Sequence, residues 1–190
     1  MQNPHPIKRV KNVRTGHCIT IGQTESGKTI LNKRLARRYQ RAGIVCVVLD
    51  PLGDPEWKDP STPDQNFVML DDSQAFLDLV FDPDRCLQAA IFIDEAGMSI
   101  SKYSAEYDKL TTVSRHFGHV VHVIAQRAQM VSATLRSQCR TCFAFNVNGD
   151  DAKLYSKDFN CPQILDAPNL VQGEFIQATR FENSKRFRLW

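Results

Sequence analysis

The sequence predicts an α/β fold, a three-layer sandwich on a mostly parallel central sheet with a C-terminal β-hairpin. Three observations predict it. Short β-rich apolar runs alternate with helical patterns along the chain. Several of these runs are apolar at every position, as strands covered on both faces must be. A glycine-bearing turn, Gly22 to Thr29, joins the first such run to the first helical pattern.

Cys18–Ile21 reads as a short buried strand, and Lys28–Arg41 as a helix. In that helix Ile30, Leu31, Leu35 and Tyr39 are expected to face inward and the basic residues outward. Gly43 stops it. Ile44–Leu49 is apolar throughout and reads as a central parallel strand. Asp50-Pro51-Leu52-Gly53-Asp54-Pro55 breaks the pattern, and a Pro-rich loop runs to Gln65. A strand is expected at 67–70, a helix at 73–81, a strand at 89–93 and a helix at 103–117. Further strands are expected at 120–125 and 142–147, and a helix at 150–157. Phe175–Ala178 and Arg186–Trp190 read as a hairpin turning at Asn183-Ser184.

The 190 residues read as a single domain over 1–190, with a basic arm at 1–15 and the hairpin at 173–190. Apolar residues make up 42%, enough for a full core and too many for a disordered chain. No apolar run approaches the ~18–20 residues that span a bilayer. Met1–Arg14 is polar and basic, without the apolar stretch of a secretion signal. The expectation is a chain that is neither secreted nor membrane-spanning.

Net charge is only +3, so its distribution carries more than its sum. Basic residues cluster at 8–14, at 33–41 and at 180–188, while acids concentrate between Asp50 and Asp108. That asymmetry fits a polyanion on one side of the molecule. Taken singly, each cluster reads more simply as a solvated face. The six cysteines lie mostly in apolar runs and read as reduced core residues. The pair Cys139 and Cys142 has a zinc-like spacing, but a zinc site needs about four ligands, usually two such pairs, and the sequence holds one.

In an open α/β sheet, ligands bind beyond the carboxyl ends of the strands. After the first strand, Gly22-Gln23-Thr24-Glu25-Ser26-Gly27-Lys28-Thr29 matches the phosphate-binding P-loop pattern. Its glycines let backbone N–H groups approach phosphate oxygens, and the helix that follows aims its positive end at them. The nucleotide-binding residues are therefore expected to be Gly22, Gln23, Thr24, Glu25, Ser26, Gly27, Lys28, Thr29 and Ile30. Lys28 is expected to reach the β- and γ-phosphates of ATP, and Thr29 to ligate Mg²⁺. After the strand at 89–93 come Asp94 and Glu95, in the arrangement known as Walker B. Asp94 is expected to hold Mg²⁺ and Glu95 to activate water. After the strand at 120–125 comes Gln126, placed to sense the γ-phosphate. Arg115 reads either as a dipole partner at a helix end or as a finger reaching a neighbouring subunit's nucleotide. His116, His119 and His122 straddle a helix-to-strand change across Gly118 and read as structural or surface residues.

Together these pieces resemble the FtsK–HerA superfamily of hexameric DNA-pumping ATPases. The resemblance rests on Ser114-Arg115-His116-Phe117-Gly118 leading through an apolar strand to Gln126-Arg127. It rests also on Leu135-Arg136-Ser137-Gln138 with Thr141-Cys142-Phe143-Ala144-Phe145, and on Asp50-Pro51-Leu52-Gly53-Asp54. It covers residues 16–147. It implies a RecA-like ASCE P-loop NTPase, with Arg115 as the finger acting in trans and Gln126 as the polar sensor. Arg136 and Arg140 are then further candidates for contacts between subunits. Two positions depart from the pattern: Glu25 stands where the family often has Gly, and Ala125 replaces the usual Thr.

A minimal single-domain member is similar to the genome-packaging ATPases of membrane-containing icosahedral viruses with double-jelly-roll capsids. That similarity implies a homo-oligomeric ring, a hexamer in the family, at a virion vertex or in the host cytoplasm. Its implied partners are double-stranded DNA and capsid or vertex proteins. A loop after Gly97, with Ser99, Ser101 and Lys102, is a candidate pore loop. Other readings remain open: a DNA-pumping or morphogenesis ATPase of a conjugation or filamentous-phage system, a monomeric P-loop kinase, or a non-hydrolysing nucleotide-binding scaffold. Intact Lys28 and Glu95 argue against the last.

Overall fold

Eight strands form one sheet in the order β3-β2-β4-β5-β1-β6-β7-β8 in the computed structural model, which describes residues 16–86, 88–96 and 105–190. The strands are β1 (His17–Ile21), β2 (Cys46–Leu49), β3 (Phe67–Leu70), β4 (Ala90–Ile93), β5 (Val120–Ala125), β6 (Cys139–Ala144), β7 (Glu174–Thr179) and β8 (Lys185–Arg188). The first six in sheet order are parallel. β7 and β8 add antiparallel at one edge as the expected hairpin. The helices are α1 (Lys28–Arg41), α2 (Ser73–Val80), α3 (Ala105–Thr112), α4 (Ala133–Gln138) and α5 (Gly149–Phe159).

Strand alternation assigns each residue to a face. Ile19, Ile21, Ile91, Ile93, Val121 and Val123 point to one side, where α2, α3, α4 and α5 supply Phe76, Leu110, Leu135 and Tyr155. Cys46, Val48, Phe92 and Ile124 point to the other, where α1 supplies Ala36 and the loop after β2 supplies Trp57. Nearer the hairpin, Cys18, Phe143, Phe145 and Phe175 meet Leu31 of α1. Both faces are covered, which is the three-layer arrangement the continuous apolar runs require. Among the described residues no helix is long and apolar enough to cross a membrane.

Several boundaries differ from the sequence expectation. β6 runs over 139–144 rather than 142–147. The chain turns away after Ala144 because the Asn146 side chain donates to the carbonyls of Pro168 and Leu170, and Asn148 caps α5. α4 was not foreseen; Ser132 caps it by accepting from the Leu135 N–H, and its short apolar content hides it. Pro162–Asn169 forms an unforeseen 3₁₀ segment. The helix expected at 103–117 ends at Thr112 and gives way to a 3₁₀ turn, Ser114–Phe117, closed by Gly118 at φ +73°. The basic arm, the candidate pore loop from Gly97 to Lys102, and Tyr103 lie outside the described residues.

Part of the basic face of α1 is turned to its own chain. Lys33, expected outward, is buried and bonded to Asp54 and Glu56. Arg37 donates to the Glu56 carbonyl at 2.8 Å and Arg41 to Asp59 at 2.7 Å. These contacts fasten the acidic loop after β2 onto the helix and pair Lys33 and Arg41, two members of the densest basic cluster in the sequence, with acids. Arg180 likewise donates to the carbonyls of Cys139 and Asp158 and lies 4.6 Å over the Phe159 ring. All six thiols are buried and unbridged.

Two histidines are packed uncharged inside the sheet. Val121 N–H donates to His17 Nδ1 at 3.0 Å, and His122 stacks on Phe92 at 4.5 Å. Burial first, then the nearby Arg115 charge, lowers the His17 pKa to about 4. Burial lowers that of His122 to about 3. The unfolded chain takes up protons at both positions below pH ~6.5, whereas the native state resists until pH 3–4. Their contribution is therefore fully present above pH 6.5 and lost on acidification. At pH 5 each histidine is expected to cost about 2 kcal/mol relative to neutral pH. Urea midpoints at pH 7 and pH 5 check this, and His122→Gln should reduce the difference by about 2 kcal/mol. An unchanged difference in that variant would place the acid sensitivity elsewhere.

Candidate functional site

The strand order sets the site. β5 lies between β1 and β4, so the carboxyl ends of all three strands adjoin. Gly22 follows β1, Asp94 follows β4 and Gln126 follows β5. Residues up to 104 positions apart in sequence thus share one end of the sheet.

The loop from Gly22 to Thr29 is held tightly. A Cβ on Gly22 would lie 2.6 Å from Ser26 Oγ and 2.7 Å from Phe145 Cβ, so that position admits no side chain without displacing neighbours. Gly27 sits at φ +110° immediately before α1. Gln23 N–H donates to the Asn146 carbonyl at 2.7 Å and Gly173 N–H to the Ser26 carbonyl at 3.1 Å. Asn32 fixes α1 to the sheet by donating to Thr20 Oγ1 at 3.0 Å.

The loop suits a polyphosphate. Lys28 is buried, and its ammonium donates to the Gln23 carbonyl at 2.7 Å. Burial lowers its pKa, opposed by the charges of Glu95 and Asp94. Ser26 Oγ is buried without a hydrogen-bond partner. A buried cation and an orphaned hydroxyl beneath backbone N–H groups are the complement of phosphate oxygens.

Asp94 is the acidic counterpart. Burial raises its pKa to about 6, and the carboxylates of Asp50 and Glu95 push in the same direction. The Glu95 N–H and Lys28 oppose this. Asp94, with the carboxylates of Asp50 and Glu95 acting on it, offers the hard oxygen donors that Mg²⁺ takes. That ion takes one or two protein ligands and completes its shell with phosphate and water. Asp50 is engaged in its loop, accepting from the N–H groups of Leu52 and Asp54.

Glu95 stands at the mouth with backbone φ +46°. Gln126 Nε2 donates to both of its carboxylate oxygens at 3.0 Å. The amide thus fixes the plane of a carboxylate that faces the same cavity as Lys28 and Thr29. This is an oriented base beside a phosphate cradle, an arrangement able to activate water for attack on phosphorus.

The structure brings together the loop residues 22–30, Asp94, Glu95 and Gln126. It does not bring Arg115 to them. Arg115 precedes β5, at the opposite end of the sheet, where it is exposed and donates to the Gln138 carbonyl at 3.0 Å. Arg136 is engaged within its own chain by Asp158 at 2.7 Å and by the Val131 carbonyl at 2.6 Å. Arg140 is exposed and pairs with Glu182. Ile30, expected both to bind nucleotide and to face the core, is 44% exposed and lines the cavity. His119 is structural, accepting from Ala89 N–H and lying 3.0 Å from the Val80 carbonyl. Sequence reading missed Asn146, Gln172 and Trp190. The last two line the same cavity, and their proximity to the loop arises only from pairing of β6, β7 and β8.

The backbone at Glu25 is one that glycine would suit better. Glu25 is exposed and sits at φ +64°, a backbone region that costs a non-glycine residue about 1–2 kcal/mol. It also lines the cavity with Lys28 and Thr29. Glu25→Gly is expected to raise stability by about 1 kcal/mol and to tighten nucleotide binding about twofold by removing a screened negative charge. Thermal unfolding and equilibrium binding check both; weaker binding would show that Glu25 contributes a contact rather than a repulsion.

The sheet order, the loop at the β1–α1 junction and the flanking helical layers define a P-loop NTPase fold. No family model matches the chain, and no curated protein matches it in sequence. Solved structures do match in three dimensions. The genome packaging NTPase B204 from Sulfolobus turreted icosahedral virus 2, in complex with AMPPCP, is similar with a TM-score of 0.75 at 16% identity, over 92% of this chain and 97% of its own. The pCW3 conjugation coupling protein TcpA, with ATPγS, gives 0.66 at 14% identity over 92% of this chain and 60% of its own. The N-terminal domain of zonular occludens toxin from Neisseria meningitidis gives 0.53 at 17% identity, over 93% and 95%. At these identities the likeness establishes a shared fold. It agrees with the fold implied by the resemblance read from the sequence.

Proposed function

We propose that this chain is an ATP hydrolase of the FtsK–HerA kind that drives double-stranded DNA through an oligomeric ring, in the service of viral genome packaging. The observation that carries the reading is the convergence of Lys28, Asp94, Glu95 and Gln126 at adjoining strand ends. The extent of the fold match to a packaging NTPase of nearly the same span supports it.

In this reading the Gly22–Thr29 backbone and Lys28 bind the β- and γ-phosphates of ATP. Thr29 and Asp94 would hold Mg²⁺, which when bound supplies positive charge against the phosphate oxygens. Glu95, oriented by Gln126, takes the proton of the attacking water. Arg115 of an adjacent subunit stabilises the charge that develops on the transferred phosphoryl group. DNA is gripped through phosphates without sequence preference, so its binding falls with salt. Capsid or vertex proteins would anchor the ring, placing the protein at a virion vertex or in the host cytoplasm.

The likeness to TcpA favours a second reading with the same chemistry, a DNA-pumping ATPase of conjugation. The test is ATP hydrolysis at low salt with and without long double-stranded DNA. Stimulation by DNA is expected under either motor reading. Hydrolysis indifferent to DNA, in an enzyme that stays monomeric at every concentration, would overturn both and favour a P-loop kinase.

A further inference from the structure

The cavity above the P-loop is lined by two kinds of side chain. Thr24, Glu25, Lys28, Thr29, Glu95 and Gln172 are polar or charged. Ile30 and Trp190 are apolar. The cavity encloses about 360 Å³. The phosphate chemistry proposed above draws only on the polar and charged side chains.

Trp190 is held there by more than loose contact. Leu189 N–H donates to the Gly173 carbonyl at 2.9 Å, and Arg34 donates to the Leu189 carbonyl at 3.0 Å. The indole lies over two glycines. A Cβ on Gly173 would come within 2.8 Å of its Cε2 and Cζ2 atoms, and one on Gly27 within 3.3 Å of Cη2. Gly173 in turn donates to the Ser26 carbonyl, so the residue that seats the indole also props the P-loop. Despite this seating the side chain stays 52% exposed, and Ile30 beside it is 44% exposed. A large, flat, fixed aromatic surface left open to solvent next to a phosphate cradle has the form of a stacking platform.

We infer that Trp190 stacks against the base of the bound nucleotide, with Ile30 as its apolar neighbour. The inference rests on the nucleotide-binding reading of the P-loop and adds to it the base-binding part of the site. A purine's larger ring system covers more of an indole than a pyrimidine's does.

The test compares equilibrium binding of ATP, UTP and inorganic tripolyphosphate to the full chain and to Trp190→Ala and Trp190→Phe. Trp190→Ala is expected to weaken ATP binding about tenfold and to leave tripolyphosphate binding unchanged. Trp190→Phe is expected to recover most of the loss, and any preference for ATP over UTP should shrink in the alanine variant. ATP, but not tripolyphosphate, is expected to quench tryptophan emission in the native chain. The quenching should vanish in Trp190→Phe, because Trp57, the other tryptophan, is fully buried beside Phe92. ATP binding unaffected by Trp190→Ala overturns the inference. So does an equal loss for ATP and tripolyphosphate, which would make the indole a prop for the loop. If the native chain binds neither ligand, the proposed function falls and the inference falls with it.

Discussion

Replacing Glu95 by glutamine is expected to lower ATP hydrolysis by about 10²- to 10⁴-fold while leaving ATP binding intact. The substitution keeps the size and shape of the side chain and removes only its basicity. The position also tolerates it locally: the backbone at φ +46° is already borne by a residue with the same Cβ and Cγ. Gln126 Nε2 now donates to both carboxylate oxygens, and one of those bonds survives to the remaining carbonyl oxygen of the new amide. The loop that cradles phosphate is held by hydrogen bonds from Ser26 and Lys28 to the Gln23 carbonyl, from Gln23 to the Asn146 carbonyl and from Gly173 to the Ser26 carbonyl, none of which involves Glu95. Binding and turnover should therefore separate. A nucleotide titration and a steady-state phosphate-release assay on the same preparation read the two quantities. Turnover unchanged from the native chain would mean that water is activated by another group, and the geometry around Gln126 would need a different explanation. Gln126→Ala offers an independent check. It leaves the carboxylate chemically intact but free to rotate, so its loss in rate should be smaller than that of Glu95→Gln.

The parts of this molecule that a linear reading reaches are those written in local pattern. Lys28–Arg41, Phe67–Leu70 and Val120–Ala125 match the expected helix and strands end to end. Each is bounded by its own breaker or cap. The P-loop, Asp94-Glu95 and Gln126 could be picked out as candidates for the same reason: each directly follows a buried, mainly apolar strand, and the fold places strand ends together. What escaped was decided by distant partners. Lys33 looks like any outward lysine until Asp54 and Glu56 fold back over α1. β6 shifts by three residues because Asn146 and Asn148 turn the chain away. Trp190 reaches the P-loop only through the antiparallel addition of β7 and β8, which no spacing rule encodes. Glu25 looked like an electrostatic anomaly in the sequence. The structure adds a backbone reason why glycine suits that position, since its φ is positive.

Arg115→Ala is expected to reduce hydrolysis by about 10³-fold or more, and the loss should be repairable from another subunit. The argument starts from position. β5 runs six residues from Val120 to Ala125, so about 20 Å of strand separates the turn bearing Arg115 from Gln126 at the site. Arg115 is exposed and donates to the Gln138 carbonyl at the amino end of the sheet. From there it cannot reach the phosphates bound by its own chain. If it matters to catalysis, it acts across an interface, and that interface must join the amino end of one sheet to the carboxyl end of the next. Such a heterologous contact generates a ring where its rotation closes. Two inactive variants then supply complementary halves. In a mixture, a site on an Arg115→Ala subunit retains Glu95 and can receive Arg115 from a Glu95→Gln neighbour. Random assembly makes about a quarter of the interfaces whole in an equal mixture. Hydrolysis is therefore expected to reappear when the two dead preparations are mixed under assembling conditions. Two monomeric enzymes, each lacking a group needed within one chain, would stay inactive together at any ratio. Full activity of Arg115→Ala alone would instead reduce this arginine to the partner of the Gln138 carbonyl.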